Sequence, residues 1–165
     1  MTSDEKRLHE AADKIEIQQV LTRYCRGMDR LDTEMIASVY HEDAFDHHGP
    51  FDKLGRELAP ELIEMVRGTT EVAFHLLTNV SIELAGDTAW VESYVTTIAV
   101  HAETYDDIGA RFADRFERRD GAWKIAERTM ILEFSRSMPR GEDSPMLAMF
   151  NRGTRDRTDP SYARN

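Results

Sequence analysis

Four side chains of this sequence could together move a proton: a histidine in an apolar run, an aspartate where a helix should end, a tyrosine on that helix and a distant arginine. His75 lies within Val72–Leu77, and a neutral imidazole in such surroundings suits general base chemistry near neutral pH. Asp29 can hydrogen-bond one ring nitrogen, which leaves the other free to accept a proton and stabilises the imidazolium that results. Tyr24 offers a hydroxyl donor and Arg128 a fixed cation, either of which can hold a carbonyl, an enolate or a departing anion. The set is that of a metal-free catalyst removing a proton from carbon. Spacing alone leaves plainer readings open: Tyr24 as a core aromatic, Asp29 as a solvated acid, His75 as a satisfied strand histidine, Arg128 as the ion-pair partner of Glu127 or Asp114. Tyr24 and Asp29 also point about 140° apart on an ideal helix, so they converge only if the helix ends or bends near Gly27.

A second cluster, His41, Glu42, Asp43, Asp46, His47 and His48, has metal-ligand chemistry but matches no ligand spacing, and no metal is expected there. Alternation along a strand sends His47 and His48 to opposite faces, so one of them is expected to face a cavity. Phe45 reads as core, and Met130 as packing or adaptable cavity wall. With His47 and His48 they complete the candidate substrate contacts. Cys25 reads as core, not nucleophile.

These residues must be positioned by two kinds of element. Thr2 and Glu5 can form a capping box, followed by apolar residues at Ile15, Ile17, Leu21, Tyr24, Cys25 and Met28, the face of one long helix ending near Asp29. Asp32 can cap a short second helix through Tyr40, Ala44–His48 can form a short strand before Gly49-Pro50, and Leu58–Val66 reads as a third helix with Pro60 near its first turn. From Thr70 the texture becomes β-branched and aromatic: roughly Glu71–Leu84, Thr88–Glu103, Ala110–Glu117 and Trp123–Arg136. Gly86-Asp87 and Asp120-Gly121 fall between these runs as hairpin turns. The order predicts an α+β fold in which a curved antiparallel sheet wraps around N-terminal helices and encloses a cavity. Residues 1–140 are read as one domain and 141–165 as a C-terminal arm, extended or partly disordered, that reaches a neighbouring subunit.

The chain has 165 residues and a formal net charge of −10, which repels phosphate backbones and anionic membranes, so neither nucleic acid nor membrane is an expected partner. No apolar stretch approaches the roughly 20 residues of a membrane span. One cysteine and a charged opening segment lead to an expected cytoplasmic location.

The helix Ile15–Tyr24, the Met28-Asp29 end, the Ala37–Asp46 segment, the His75-Leu76-Leu77-Thr78-Asn79-Val80 strand and Phe116–Ile125 resemble the SnoaL-like branch of the nuclear transport factor 2 superfamily over about residues 8–138. That superfamily has a cone-shaped α+β fold and includes scytalone dehydratase, ketosteroid isomerase, hexachlorocyclohexane dehydrochlorinase and bile acid 7α-dehydratase. The resemblance implies a catalytic dyad at Asp29 and His75, a donor at Tyr24 and an arginine at Arg128. It further implies a cofactor-independent lyase acting on a hydrophobic ring-containing small molecule by β-elimination, or by retro-aldol cleavage of an aromatic diol. The alternatives are an isomerase moving a double bond, or a non-catalytic ligand-binding or assembly module such as a dioxygenase small subunit. A homodimer or homotrimer is expected, because members associate through the open sheet face.

Overall fold

A computed structural model describes residues 2–163. The helix α1 spans Ser3–Asp29, and its N-terminus carries the capping box: the Glu5 amide donates to Thr2 Oγ1, and the Thr2 amide to the Glu5 carboxylate. Its buried face starts only at Ile17; Ile15, expected on that face, is 59% exposed, because two positions before Ile17 it points about 160° away from it. Asp32 caps α2 (Thr33–Ser38) by accepting from the Met35 amide. This helix stops earlier than the sequence pattern suggested, since β1 (Tyr40–His48) takes over at Tyr40. A turn at Gly49-Pro50 leads to β2 (Phe51–Leu54), which the sequence reading missed, and then to α3 (Gly55–Val66). Pro60 lies inside α3, because the helix begins three residues before the apolar pattern does.

Four long strands follow as a meander, β3 (Val72–Ala85), β4 (Thr88–Val100), β5 (Thr104–Arg119) and β6 (Ala122–Pro139). The glycines of the two expected hairpins, Gly86 and Gly121, both sit at positive φ, the conformation such turns demand. The sheet order is β2-β1-β6-β5-β4-β3. It is antiparallel except at one seam: β1 runs parallel to β6, with Asp46 opposite Arg128. The expected all-antiparallel sheet thus becomes mixed, because α3 and the rest of the meander intervene between β1 and β6 and no tight turn forces their directions to oppose. The helices cover the inner face, and one contiguous core joins Leu21 and Tyr24 of α1 to Ile36, Leu62, Phe112 and Ile125. This is the α+β cone. The edge strands of the sheet are β2 and β3. Among the described residues, no helix is long and apolar enough to cross a membrane.

Residues 140–163, beyond β6, fold back on their own chain. They contain two single turns of 3₁₀-helix, Pro145–Met149 and Pro160–Tyr162. Arg157 pairs with Asp32 at 2.8 Å, and the Arg26 guanidinium lies 4.9 Å from the Tyr162 ring.

Candidate active site

His75 is placed by an edge. Since β3 pairs only with β4, with His75 opposite Thr97, one side of its backbone has no strand partner. The end of α1 fills that gap. The His75 amide donates to both carboxylate oxygens of Asp29 at 3.2 and 3.4 Å, and His75 Nδ1 lies 2.6 Å from Asp29 Oδ1. One carboxylate therefore fixes both the backbone and the ring, and a proton on Nδ1 leaves Nε2 as the acceptor. The helix remains regular through Asp29, so the 140° divergence from Tyr24 is never removed by a bend. Asp29 grips the imidazole from behind, and the ring itself reaches the cavity wall.

That cavity has a volume of about 670 Å³ and is lined by Tyr24, His48, His75, Phe112 and Met130 together with aliphatic side chains of α3 and β4. The size suits a drug-sized, ring-containing molecule. Burial pushes the Tyr24 hydroxyl well above its ordinary pKa, against the pull of Arg128, so it stays protonated and can only donate or accept as a neutral group. Alternation in β1 separates the remaining candidates. His48 and Met130 line the cavity, whereas His47 and Phe45 stand on the other face, with Phe45 37% exposed and its ring centre 5.0 Å from that of His47 in a tilted arrangement. Phe45 is thus neither core nor cavity wall, and His47 instead neighbours Asp52 and Glu127 on the outside.

Arg128 takes the plainer of its two expected places, the ion pair with Asp114, and not a place among the cavity-lining side chains. It is wholly buried behind the cavity wall, where it makes a bidentate pair with Asp114 (2.8 and 2.7 Å) and lies 4.4 Å from the Tyr24 ring centre and 3.9 Å from that of Phe112. A side chain committed to this pair supports the wall that carries Tyr24 and does not itself line the cavity. Around it runs a polar seam: the Tyr40 hydroxyl donates to Asp46 at 2.6 Å, and Asp46 Oδ1 is 3.4 Å from His48 Nδ1. Burial opposes the Asp46 charge, but His48, Arg128 and Tyr40 outweigh it and hold the carboxyl below the usual range. Asp46 and His48 are two apart on one strand, a spacing that could have revealed this seam from sequence.

Two features had no sequence signal. Arg155, from the C-terminal segment, lines the cavity and donates to the carbonyls of Met28, Asp29 and Thr70. At the cavity rim His101 contacts the Thr69 carbonyl through Nδ1 at 2.7 Å and Asp106 through Nε2 at 3.2 Å. Cys25 is buried, and burial pushes its thiol up to about 12, which makes it a poor nucleophile. Among the described residues, no group of three or more His, Cys, Asp or Glu side chains is arranged to hold a metal.

A helix-backed cone with a His–Asp pair on the wall of an apolar cavity defines an α+β protein of the nuclear transport factor 2 type. Residues 9–129 match the SnoaL-like domain, and the chain belongs to that family. Its fold is similar to that of LinA, with a TM-score of 0.75, 25% identity, and coverage of 87% of this chain and 99% of the other; related structures carry the name hexachlorocyclohexane dehydrochlorinase. A Novosphingobium aromaticivorans structure provisionally assigned as a scytalone dehydratase matches with a TM-score of 0.71, 19% identity, and coverage of 83% and 95%. An uncharacterised protein of Mycobacterium tuberculosis is 27% identical over 139 residues, which is 78% of this chain and 91% of that one.

Proposed function

We propose that this protein is a lyase of the dehydratase or dehydrochlorinase kind, acting on a hydrophobic ring-containing molecule that carries a hydroxyl or halide leaving group. The observation that supports it most is the 2.6 Å contact between His75 Nδ1 and Asp29, with the ring on the wall of the 670 Å³ cavity. His75 Nε2 takes a proton from substrate carbon, the C–H electron pair becomes the new double bond, and the bond to the leaving group breaks with its electrons going to that group. Asp29 stabilises the imidazolium. Tyr24 donates a hydrogen bond to the departing oxygen or halide; a departing hydroxide leaves as water with the proton that His75 took from carbon, and after loss of a halide the imidazolium gives that proton to solvent, so the imidazole ends neutral in either case. His48, backed by Asp46, is a further donor on the same wall. Arg128 acts through Tyr24 and Phe112, which it holds in place. LinA, among the similar structures, lends the chlorinated ring as a first substrate class.

The test is a screen of hydroxylated steroids, aromatic diols and hexachlorocyclohexane for release of water, formaldehyde or chloride. His75→Ala and Asp29→Asn, each checked for folding, are expected to lower turnover roughly 10²- to 10⁴-fold. Unchanged turnover in both would sink the reading. Double-bond migration with return of the same proton to carbon would instead identify an isomerase using the same base.

A further inference from the structure

A carboxylate at the last turn of a helix sits among carbonyl oxygens that carry the negative end of the helix dipole, so Asp29 occupies an electrostatically unfavourable place. The fold answers with a cation from far along the chain. Arg155 Nη2 donates to the Met28 carbonyl at 3.0 Å, Nε to the Asp29 carbonyl at 3.1 Å and Nη1 to the Thr70 carbonyl at 2.8 Å. The first two acceptors end α1, which carries Asp29; the third lies two residues before β3, which carries His75. One planar guanidinium therefore ties together the two elements whose side chains must meet, and only a forked donor can reach three carbonyls in this way. The segment that bears it is itself pinned. Asp159 accepts from the Thr154 and Ser161 amides, both at 3.0 Å, and its carboxylate lies 3.5 Å from Arg30 Nε. We infer that Arg155 is a positioning residue for the His75–Asp29 pair, and that the C-terminal arm is thereby a working part of the site. This rests on the reading of that pair as the proton-transfer site.

The state of the His75 ring reports the positioning without any substrate. In protein labelled with ¹⁵N at histidine, with His75→Ala used to assign the signals, wild-type His75 is expected as a single neutral tautomer protonated at Nδ1. In Arg155→Ala the two nitrogen shifts should move toward the average of mixed tautomers, and added guanidinium ion should restore them. Arg155→Lys keeps the charge but not the fork, should show the same loss in part, and carries the test if the alanine variant does not fold. Wild-type nitrogen shifts in the folded Arg155 variants would overturn the inference. The two readings fail separately: a wild-type ring held at Nδ1 with no turnover of any compound sinks the lyase alone, whereas turnover in wild type with unmoved shifts in the variants sinks Arg155 alone.

Discussion

Arg128 carries its charge into the core with no exposure to solvent, and Asp114 meets it there with two hydrogen bonds. The sequence leaves two places open for it, an anion holder in the cavity or an ion-pair partner of Glu127 or Asp114, and nothing local separates them; the strand register, which sets Asp114 opposite Arg128, selects the pair with Asp114. Burial raises the Asp114 carboxyl while Arg128 pulls it down, and the guanidinium stays charged because Asp114 offsets its desolvation. Removing one partner strands the other. Arg128→Met is expected to cost about 3–5 kcal/mol in denaturant unfolding, while Arg128→Met combined with Asp114→Leu should recover much of that loss. A double variant no more stable than the single one would show that the pair is not what holds this part of the core. His75 and Asp29 are candidates by residue type, but their 46-residue separation carries no local signal that they meet, and the family resemblance is what points to the pair.

At the scale of elements, the legible parts were those with local punctuation: the capping box of α1, the Asp32 cap and the two glycine hairpins. What escaped depended on contacts across the chain, namely the parallel β1–β6 seam, the four-residue strand β2 and the fold-back of the arm. Gly27 belongs to this second group. A Cβ there would come within 2.6 Å of Ile36 Cγ1, so glycine allows α2 to pack against the last turns of α1. Gly27→Ala should destabilise the protein by about 1–3 kcal/mol in thermal unfolding, and an unchanged midpoint would show that Ile36 yields freely. The arm makes its own prediction through Asp159, whose carboxyl is held down to about 2 by hydrogen bonds from the Ser161 side chain and amide and from the Thr154 amide. A depressed carboxylate stabilises above its unfolded value, near 3.9, and that stability is lost as pH falls through the folded value. Amide exchange at Thr154 and Ser161 should therefore lose protection between about pH 4 and about pH 2. Protection in that window that Asp159→Asn leaves intact would assign the arm's order to other contacts.

For the whole molecule, the cone has two unlike faces. The inner one is filled by helices and cavity; the outer one exposes Phe74, Leu76, Trp90, Tyr94 and Phe134, each between 42% and 54%. A cluster of that size on a sheet is expected to be covered by a second copy. Sedimentation should give a dimer or trimer that Trp90→Glu weakens, and a monomeric wild type at micromolar concentration would contradict it. The central claim concerns the inner face, where one imidazole oriented by one carboxylate meets an apolar ligand. Its most direct test is a crystal structure of Asp29→Asn with a slowly processed cyclic alcohol or halide in the cavity. His75 Nε2 is expected within about 3.5 Å of the carbon next to the one bearing the leaving group. A ligand seated in the cavity with that carbon turned away from the ring would contradict it.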